Sequence, residues 1–276
     1  MRLMVVGAHP ADAVDLAGGT MAQHGILGYE VMVVTVTDGI YSHTKEDLSV
    51  EIVEMKREEV KEALSCLLFN PRYQFNGLKD EPLIVNQQCI LDMIQTIRMF
   101  QPQILITHHP NEYAHWDHAE VGKMVCRALK GAIKRPGDDK WWVNNVYFFA
   151  TQFRPETARI GYAPQPPNVL IDISESVGKK VKAMYCFKSQ GHNDEEAMWR
   201  RMNSMEKEMG RADGLEYAEG FISYYPAKEK VLPMSSINAG FYSKAKYERI
   251  WDLGVTGMGT TGRQIFGRLK EEERDG

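Results

Sequence analysis

Long apolar runs are missing from this 276-residue chain. None approaches the roughly 20 residues that a membrane-spanning helix needs, so such a span is not expected. After Met1-Arg2 the apolar run Leu3 to Val6 is too short for a signal-peptide core and lacks a cleavage site. It reads as a first strand. Cysteine is scarce. Cys66, Cys89, Cys126 and Cys186 are widely spaced, with no C-x-x-C pair. That argues against a disulfide framework and for reduced thiols, several of them buried, in a cytoplasmic protein. None sits beside a histidine or a glycine-rich turn, so a catalytic cysteine is not expected. An excess of positive charge is missing too. Lys+Arg 33 against Asp+Glu 37 gives a net charge of −4, without the basic face that a nucleic-acid binder needs. Internal repeats and low-complexity segments are absent. With 43% hydrophobic and 25% charged residues most of the chain is not disordered, and its length allows a substantial core.

What is present is alternation of strands and helices. Arg2 to Gly7 is a nearly continuous apolar run, as a strand buried on both faces should be. Residues 13–25 read as a helix containing Gly18-Gly19. Glu30 to Thr37 is rich in β-branched residues and reads as a strand. Helices follow at 50–68 and 83–100, a strand at 103–107, a helix at 117–132 and a strand at 143–150. A last short strand at 169–173 precedes a helix at 175–187. Glu195 to Met209 reads as one helix, and Tyr217 to Tyr225 as strand or loop. Residues 227–236 look like a connection, 242–253 like a helix and 270–276 like a charged, frayed tail. The pattern predicts a Rossmann-like three-layer α/β sandwich with a mostly parallel sheet and a C-terminal extension. The catalytic domain is placed at residues 1–225 and the extension at 226–276, packing on it or on a neighbouring subunit. In such sheets, sites form where loops leave the carboxyl ends of strands. The segments 7–20, 37–47 and 107–118 should therefore converge on one rim.

Histidines concentrate on that rim. Four of the eight, His108, His109, His115 and His118, lie in the segment after the 103–107 strand, and His9 follows the first strand. Imidazole is the commonest metal ligand and a frequent acid–base group near neutral pH. Two strand-end loops carrying His and Asp can present a His₂-carboxylate set with an open position, suited to zinc and also to iron(II). Capping alone would account for Asp117 at a helix start, but not for the histidines around it. His108 and His109 read as rim residues that solvate a strand end.

His9-Pro10-Ala11-Asp12, followed by Leu16, Gly18, Gly19 and Thr20, resembles the AHPDDxxxxxGGT signature of the PIG-L/LmbE zinc deacetylases. His115-Trp116-Asp117-His118 resembles that family's HxDH motif. Weaker matches at Glu59, Ala63, Asp172, Lys180, Ala183 and Ser189-Gln190 extend the resemblance over roughly residues 2–225. It implies a Zn²⁺ site, with Fe²⁺ or Mn²⁺ as alternatives, formed by His9, Asp12 and His118. It also implies water activated against an N-acetyl group of an amino sugar or a related small polar molecule. His115 would protonate the leaving group or stabilise the oxyanion, Asp117 would orient His115, and Gly18 and Gly19 would allow close helix packing. A homo-oligomer is expected from such relatives.

The departures are informative. The family's general base is an Asp where this chain has Ala11, and the acid after the ligand is replaced by Ala13. Losing a general base costs a factor of about 10²–10⁴. Either Asp15, Asp38, Glu112 or His115 replaces it, or the chemistry differs, or the site is a non-catalytic metal- or sugar-binding module. A branch of the family with AHxAD includes 4-oxalomesaconate hydratase, and Lys179-Lys180 and Tyr217-Ala218-Glu219-Gly220 resemble it too. Hydration of an enoate needs no carboxylate poised to attack an amide. Lys56 stands where the family usually has Arg, with Arg57 beside it. Lys56, Arg57, Glu112, Tyr113 and Asp38 are the expected substrate-binding residues.

Other motifs carry less. Gly257 to Gly262 fits G-x-G-x-x-G, but too few residues follow to build a βαβ unit, so it reads as a turn. Arg263, Arg268 and Lys270 read as a solvated tail. Trp141-Trp142 reads as core or interface, and His192 as an ordinary loop residue.

Overall fold

A computed structural model describes residues 1–41, 50–113, 115–134, 139–150, 165–211 and 213–226. The chain order is β1 (Arg2–Gly7), α1 (Asp12–Ile26), β2 (Glu30–Thr37), α2 (Val50–Leu67), β3 (Arg72–Leu78) and α3 (Gln87–Phe100). Then come β4 (Ile104–Thr107), α4 (Trp116–Lys134), β5 (Asn145–Phe149), β6 (Val169–Asp172), α5 (Val177–Tyr185), α6 (Glu195–Ser204), α7 (Glu206–Arg211) and β7 (Ala218–Ser223). Among the described residues the sheet has seven strands in the order β3-β2-β1-β4-β5-β7-β6. The first five are parallel, and β7 runs antiparallel to both its neighbours.

Side chains alternate across the central strands with a period of two. Leu3, Val5, Val31 and Val33 enter one apolar layer, while Met4, Val6, Val34 and Val36 enter the other. The first layer is completed by α1, α2 and α5, the second by α3 and α4. Helices on both faces make the three-layer α/β sandwich.

Several elements differ from the sequence reading. Strand β3 was not expected, because RYQFNGL has neither an apolar run nor a clean alternation. It sits at a sheet edge and is only partly buried. Helix α3 begins at Gln87 rather than 83. Asn86 caps it by accepting the Cys89 N–H at 3.1 Å, and residues 83–85 form its lead-in. The stretch 195–209 is two helices, separated at Met205. The connection, helix, G-x-G-x-x-G turn and tail read beyond residue 226 lie outside the described residues. Among the described residues no helix is long and apolar enough to cross a membrane.

Helix α1 departs from helical geometry at Ala17 (φ −146°), just before Gly18-Gly19. A Cβ on Gly19 would meet Ile173 at 2.7 Å, and one on Gly18 would meet Lys180 Cγ at 3.1 Å. The glycine pair therefore lets α1 lie against Ile173 and α5. Beneath it, the fully buried Lys180 donates to Glu206 and Glu219, each at 2.8 Å. Glu219 accepts the Gly19 and Thr20 N–H groups at 2.9 and 2.8 Å.

Candidate metal centre

Parallel strands β1, β2, β3 and β4 deliver their following loops to the same rim. His9 and Asp12 come from the turn after β1, Glu81 from the segment after β3, and His108 to His118 from the β4–α4 connection. Gly122, nearly two turns into α4, permits this approach, since a Cβ there would meet the His108 carbonyl at 2.6 Å.

Three donor atoms converge. His9 Nδ1 lies 3.2 Å from His118 Nε2 and 3.4 Å from Asp12 Oδ2, and His118 Nε2 lies 3.4 Å from the same oxygen. A tetrahedral ion with bonds of about 2.0–2.1 Å would place neighbouring donors about 3.3–3.4 Å apart. The triangle thus has the edge lengths of one face of such a site. Two further histidines flank it. Donor atoms of His9, His115 and His118 fall within 4.8 Å of one another, as do those of Asp12, His108 and His118.

Each imidazole of the triangle is backed by a carboxylate on its outer nitrogen. His9 Nε2 is 3.2 Å from Asp117 Oδ2, and His118 Nδ1 is 2.7 Å from Glu112 Oε1. With the outer nitrogens donating, the inner ones present lone pairs to the centre. Asp12 Oδ2 also accepts the His9 backbone N–H at 2.7 Å. Electrostatics follow from this crowding. Burial disfavours charged His9 and His118, but Asp12 with Asp117 outweighs it for His9, lifting it to about 9. Asp12 and Glu112 lift His118 to about 10. Burial likewise disfavours ionised Asp12, yet His118 and His9 hold its carboxyl well below the usual range. Against the same burial penalty, His108 and His118 lower Glu112 to about 2.

Asp117 turns to His9 and not to His115. Its oxygens also accept the Glu81 and Leu83 N–H groups at 2.9 and 2.8 Å, which fixes the loop after β3. That loop presents Glu81 Oε1 to His115 Nε2 at 3.2 Å, and Glu81 takes a left-handed backbone conformation (φ 41°). The role expected of Asp117, partner to His115, therefore falls to Glu81, a residue that sequence spacing did not single out. His115 Nδ1 is buried, with no hydrogen-bond partner among the described residues, and burial together with charged His9 and His118 lowers its pKa.

His108 is not a solvated rim residue. It is fully buried, its Nε2 accepts the Ala8 N–H at 3.1 Å, and its ring stacks on His118 at 3.9 Å. His109 is half-buried, edge-on to Phe148 at 5.0 Å. Of the expected substrate-binding residues, Glu112 lies behind His118 and Tyr113 is exposed on the same loop. Asp38 is buried and accepts from Lys79 Nζ at 2.7 Å. Lys56 is fully buried and donates to the Gly39 carbonyl, and burial lowers its amine to about 8 despite Asp80 and Glu59. Arg57 lies over Phe75 and pairs with Glu54, on the β3 side of α2. Asp15 is held by Arg201 at 3.1 and 2.5 Å, and Ala11 is buried in the core. Trp141 packs on the core and donates to the Pro102 carbonyl. His192 sits beside the Met184 carbonyl.

The PIG-L family profile (GlcNAc-PI de-N-acetylase) matches residues 4–129. The chain is similar to 4-oxalmesaconate hydratase of Pseudomonas putida, 25% identical over 245 residues, covering 81% of this chain and 89% of that protein. It is also 25% identical over 207 residues to 1D-myo-inositol 2-acetamido-2-deoxy-alpha-D-glucopyranoside deacetylase of Thermobifida fusca, covering 63% and 72%. Among solved structures it resembles GalB, the 4-carboxy-2-hydroxymuconate hydratase of P. putida. That likeness has a TM-score of 0.70 and 25% identity, over 84% of this chain and 99% of that one.

Proposed function

We propose, from the premise that residues 4–129 carry a PIG-L domain, that this enzyme adds water to a small polar substrate with one divalent metal ion held by His9, Asp12 and His118. The supporting observation is the donor triangle with edges of 3.2, 3.4 and 3.4 Å. Two nitrogens and one oxygen suit Zn²⁺, and Fe²⁺ or Mn²⁺ accept the same set. Such an ion supplies a lowered water pKa and polarises a substrate oxygen.

The remaining work falls to the chain. Asp117 and Glu112 hold the outer nitrogens of His9 and His118 and fix the ring planes, so that the inner nitrogens face the ion that would displace their protons. Ala11 provides no base, so the Glu81–His115 pair is assigned that task. With Glu81 on Nε2, His115 receives the water proton at Nδ1 and hands it to the departing group. A single carrier suffices, because the proton is taken and returned within one turnover. Residues 1–225 form the catalytic domain in this reading, and the enzyme is a homo-oligomer.

N-deacylation of an uncharged amide is the reading we favour. Asp38, Asp80, Glu81, Glu112 and Asp117 outnumber the cations Lys56 and Lys79 on the described rim, which disfavours a polyanionic substrate. Hydration of an unsaturated keto acid is the second reading. It is favoured by Ala11 and by the likeness to the hydratase, which spans 245 residues. Metal content of the purified protein, then assays of N-acetylglucosamine-type amides against unsaturated di- and tricarboxylic keto acids, separate them. Acetate release supports the first, and loss of enoate absorbance the second. A protein that holds no metal even after supplementation refutes both.

A further inference from the structure

Cys66 and Cys186 take no part in the rim. Cys66 lies in the last turn of α2, and Cys186 follows the last residue of α5. They are 120 residues apart in sequence, yet their sulfurs are 3.9 Å apart. The two helices pack side by side, with Val60, Ala63, Leu67, Ala183 and Phe187 in the same apolar layer. Both thiols are free. From this juxtaposition we propose that Cys66 and Cys186 form a reversible intramolecular disulfide, an oxidation site that staples α2 to α5.

The geometry needs little change. A disulfide bond is about 2.05 Å long, so each sulfur moves by about 1 Å, within reach of small side-chain rotations. The order of events follows from exposure. Cys66 is half-buried, whereas Cys186 is buried, which pushes its thiol up to about 12 and keeps it protonated. A peroxide therefore meets Cys66 first. The Cys66 sulfur displaces hydroxide from the peroxide and becomes a sulfenic acid. The Cys186 sulfur then attacks the Cys66 sulfur, its proton leaves with the sulfenic oxygen, and a second water is released. Two thiols and one peroxide become one disulfide and two waters. A dithiol reductant returns the two electrons and restores both thiols. Cys89, on α3 in the opposite apolar layer, and Cys126, on α4, have no such neighbour among the described residues.

The staple holds more than two helices. One face of α2 carries Glu59, which accepts from Ser189 N and Oγ at 2.8 and 2.6 Å, and Lys56, which grips the Gly39 carbonyl. Closing the loop between residues 66 and 186 restricts the unfolded chain.

The test treats the full-length protein with hydrogen peroxide, then alkylates the remaining thiols and maps peptides by mass spectrometry. The expected result is loss of two hydrogens, a Cys66–Cys186 linked peptide and two alkylated cysteines, all reversed by dithiothreitol. The melting temperature should rise by roughly 5 °C or more on oxidation and fall back on reduction. Cys66→Ser and, separately, Cys186→Ser should each remove the linked peptide and the shift. Four alkylated thiols after oxidation, or Cys66 carried on to sulfinic acid without a link, overturns the proposal. So does a cross-link that persists in Cys66→Ser.

Discussion

Helix α1 takes part in two clusters of buried charge, and they are built on opposite plans. At its second half, Gly19 and Thr20 join Glu219, Lys180 and Glu206, where Lys180 has carboxylates at 2.8 Å on two sides. At its first residue, Asp12 joins His9 and His118, whose donor atoms face a common centre while their outer atoms are tied to Asp117 and Glu112. In the first cluster donors meet acceptors and the result is structural. In the second, several ligand-type atoms point at one place, which is the arrangement the proposed metal ion would need. Buried charge by itself does not mark function; convergence does.

The largest expected effect breaks the second cluster. His118→Ala removes one corner of the triangle, and dialysed protein should retain no stoichiometric metal and show no turnover. Metal retained at one per chain would refute the ligand assignment. Next, Lys180→Met removes the cation of the first cluster and strands Glu206 and Glu219. Equilibrium denaturation should register a loss of about 3–5 kcal/mol, with metal content per folded chain unchanged. If this substitution instead stripped metal while leaving stability intact, the two clusters would not be separable. Glu112→Gln and Asp117→Asn leave the corners in place but loosen their backing, and chelator competition should show metal affinity lower by about 10–100-fold.

Acidity sharpens the contrast in the metal-free protein. His9 and His118 have folded pKa values of about 9 and 10, above the ordinary 6.5. Raised values mean that their stabilising contribution is complete below about 6.5 and is lost as pH rises through 9 and 10. Chelator-treated protein should therefore melt at progressively lower temperature from pH 7 to 10. Metal-loaded protein, whose imidazoles are already deprotonated, should lack this decline. A flat profile for the chelated form would contradict the assigned pairing with Asp12, Asp117 and Glu112. The smallest effect is expected for Glu81→Gln, a roughly tenfold lower kcat with metal content intact and an altered pH–rate profile. An unchanged pH–rate profile would remove Glu81 from its positioning role.

The parallel core was legible because its strands are buried on both faces and read as β-branched or apolar runs. Edge strand β3 was not, since exposure relaxes that demand and Arg72, Gln74 and Asn76 fit an edge as well as a loop. The segments that meet at the rim were readable from strand ends and histidine density. Their pairings were not. Asp117 is adjacent to His118 and two residues from His115 in sequence, yet reaches His9, 108 residues away. Glu81 enters through a loop whose shape depends on Asp117 accepting two backbone amides. His108 seemed a strand-end residue because sequence shows that it leaves β4, but not that Gly122 brings α4 down over it. Such contacts are fixed by tertiary closure, which local patterning does not encode.

Strand β7 lies between β5 and β6 although it follows both in the chain. This order has a consequence for synthesis. The donor triangle draws on residues up to 118, whereas the amides of Gly19 and Thr20 wait for Glu219. At roughly 5–20 residues per second, the rim is complete several seconds before the floor beneath α1 arrives. A growing chain thus holds all three residues of the donor triangle while the second half of α1, which begins at Asp12, is still unsecured, and β7 must slot into the sheet to lock that helix.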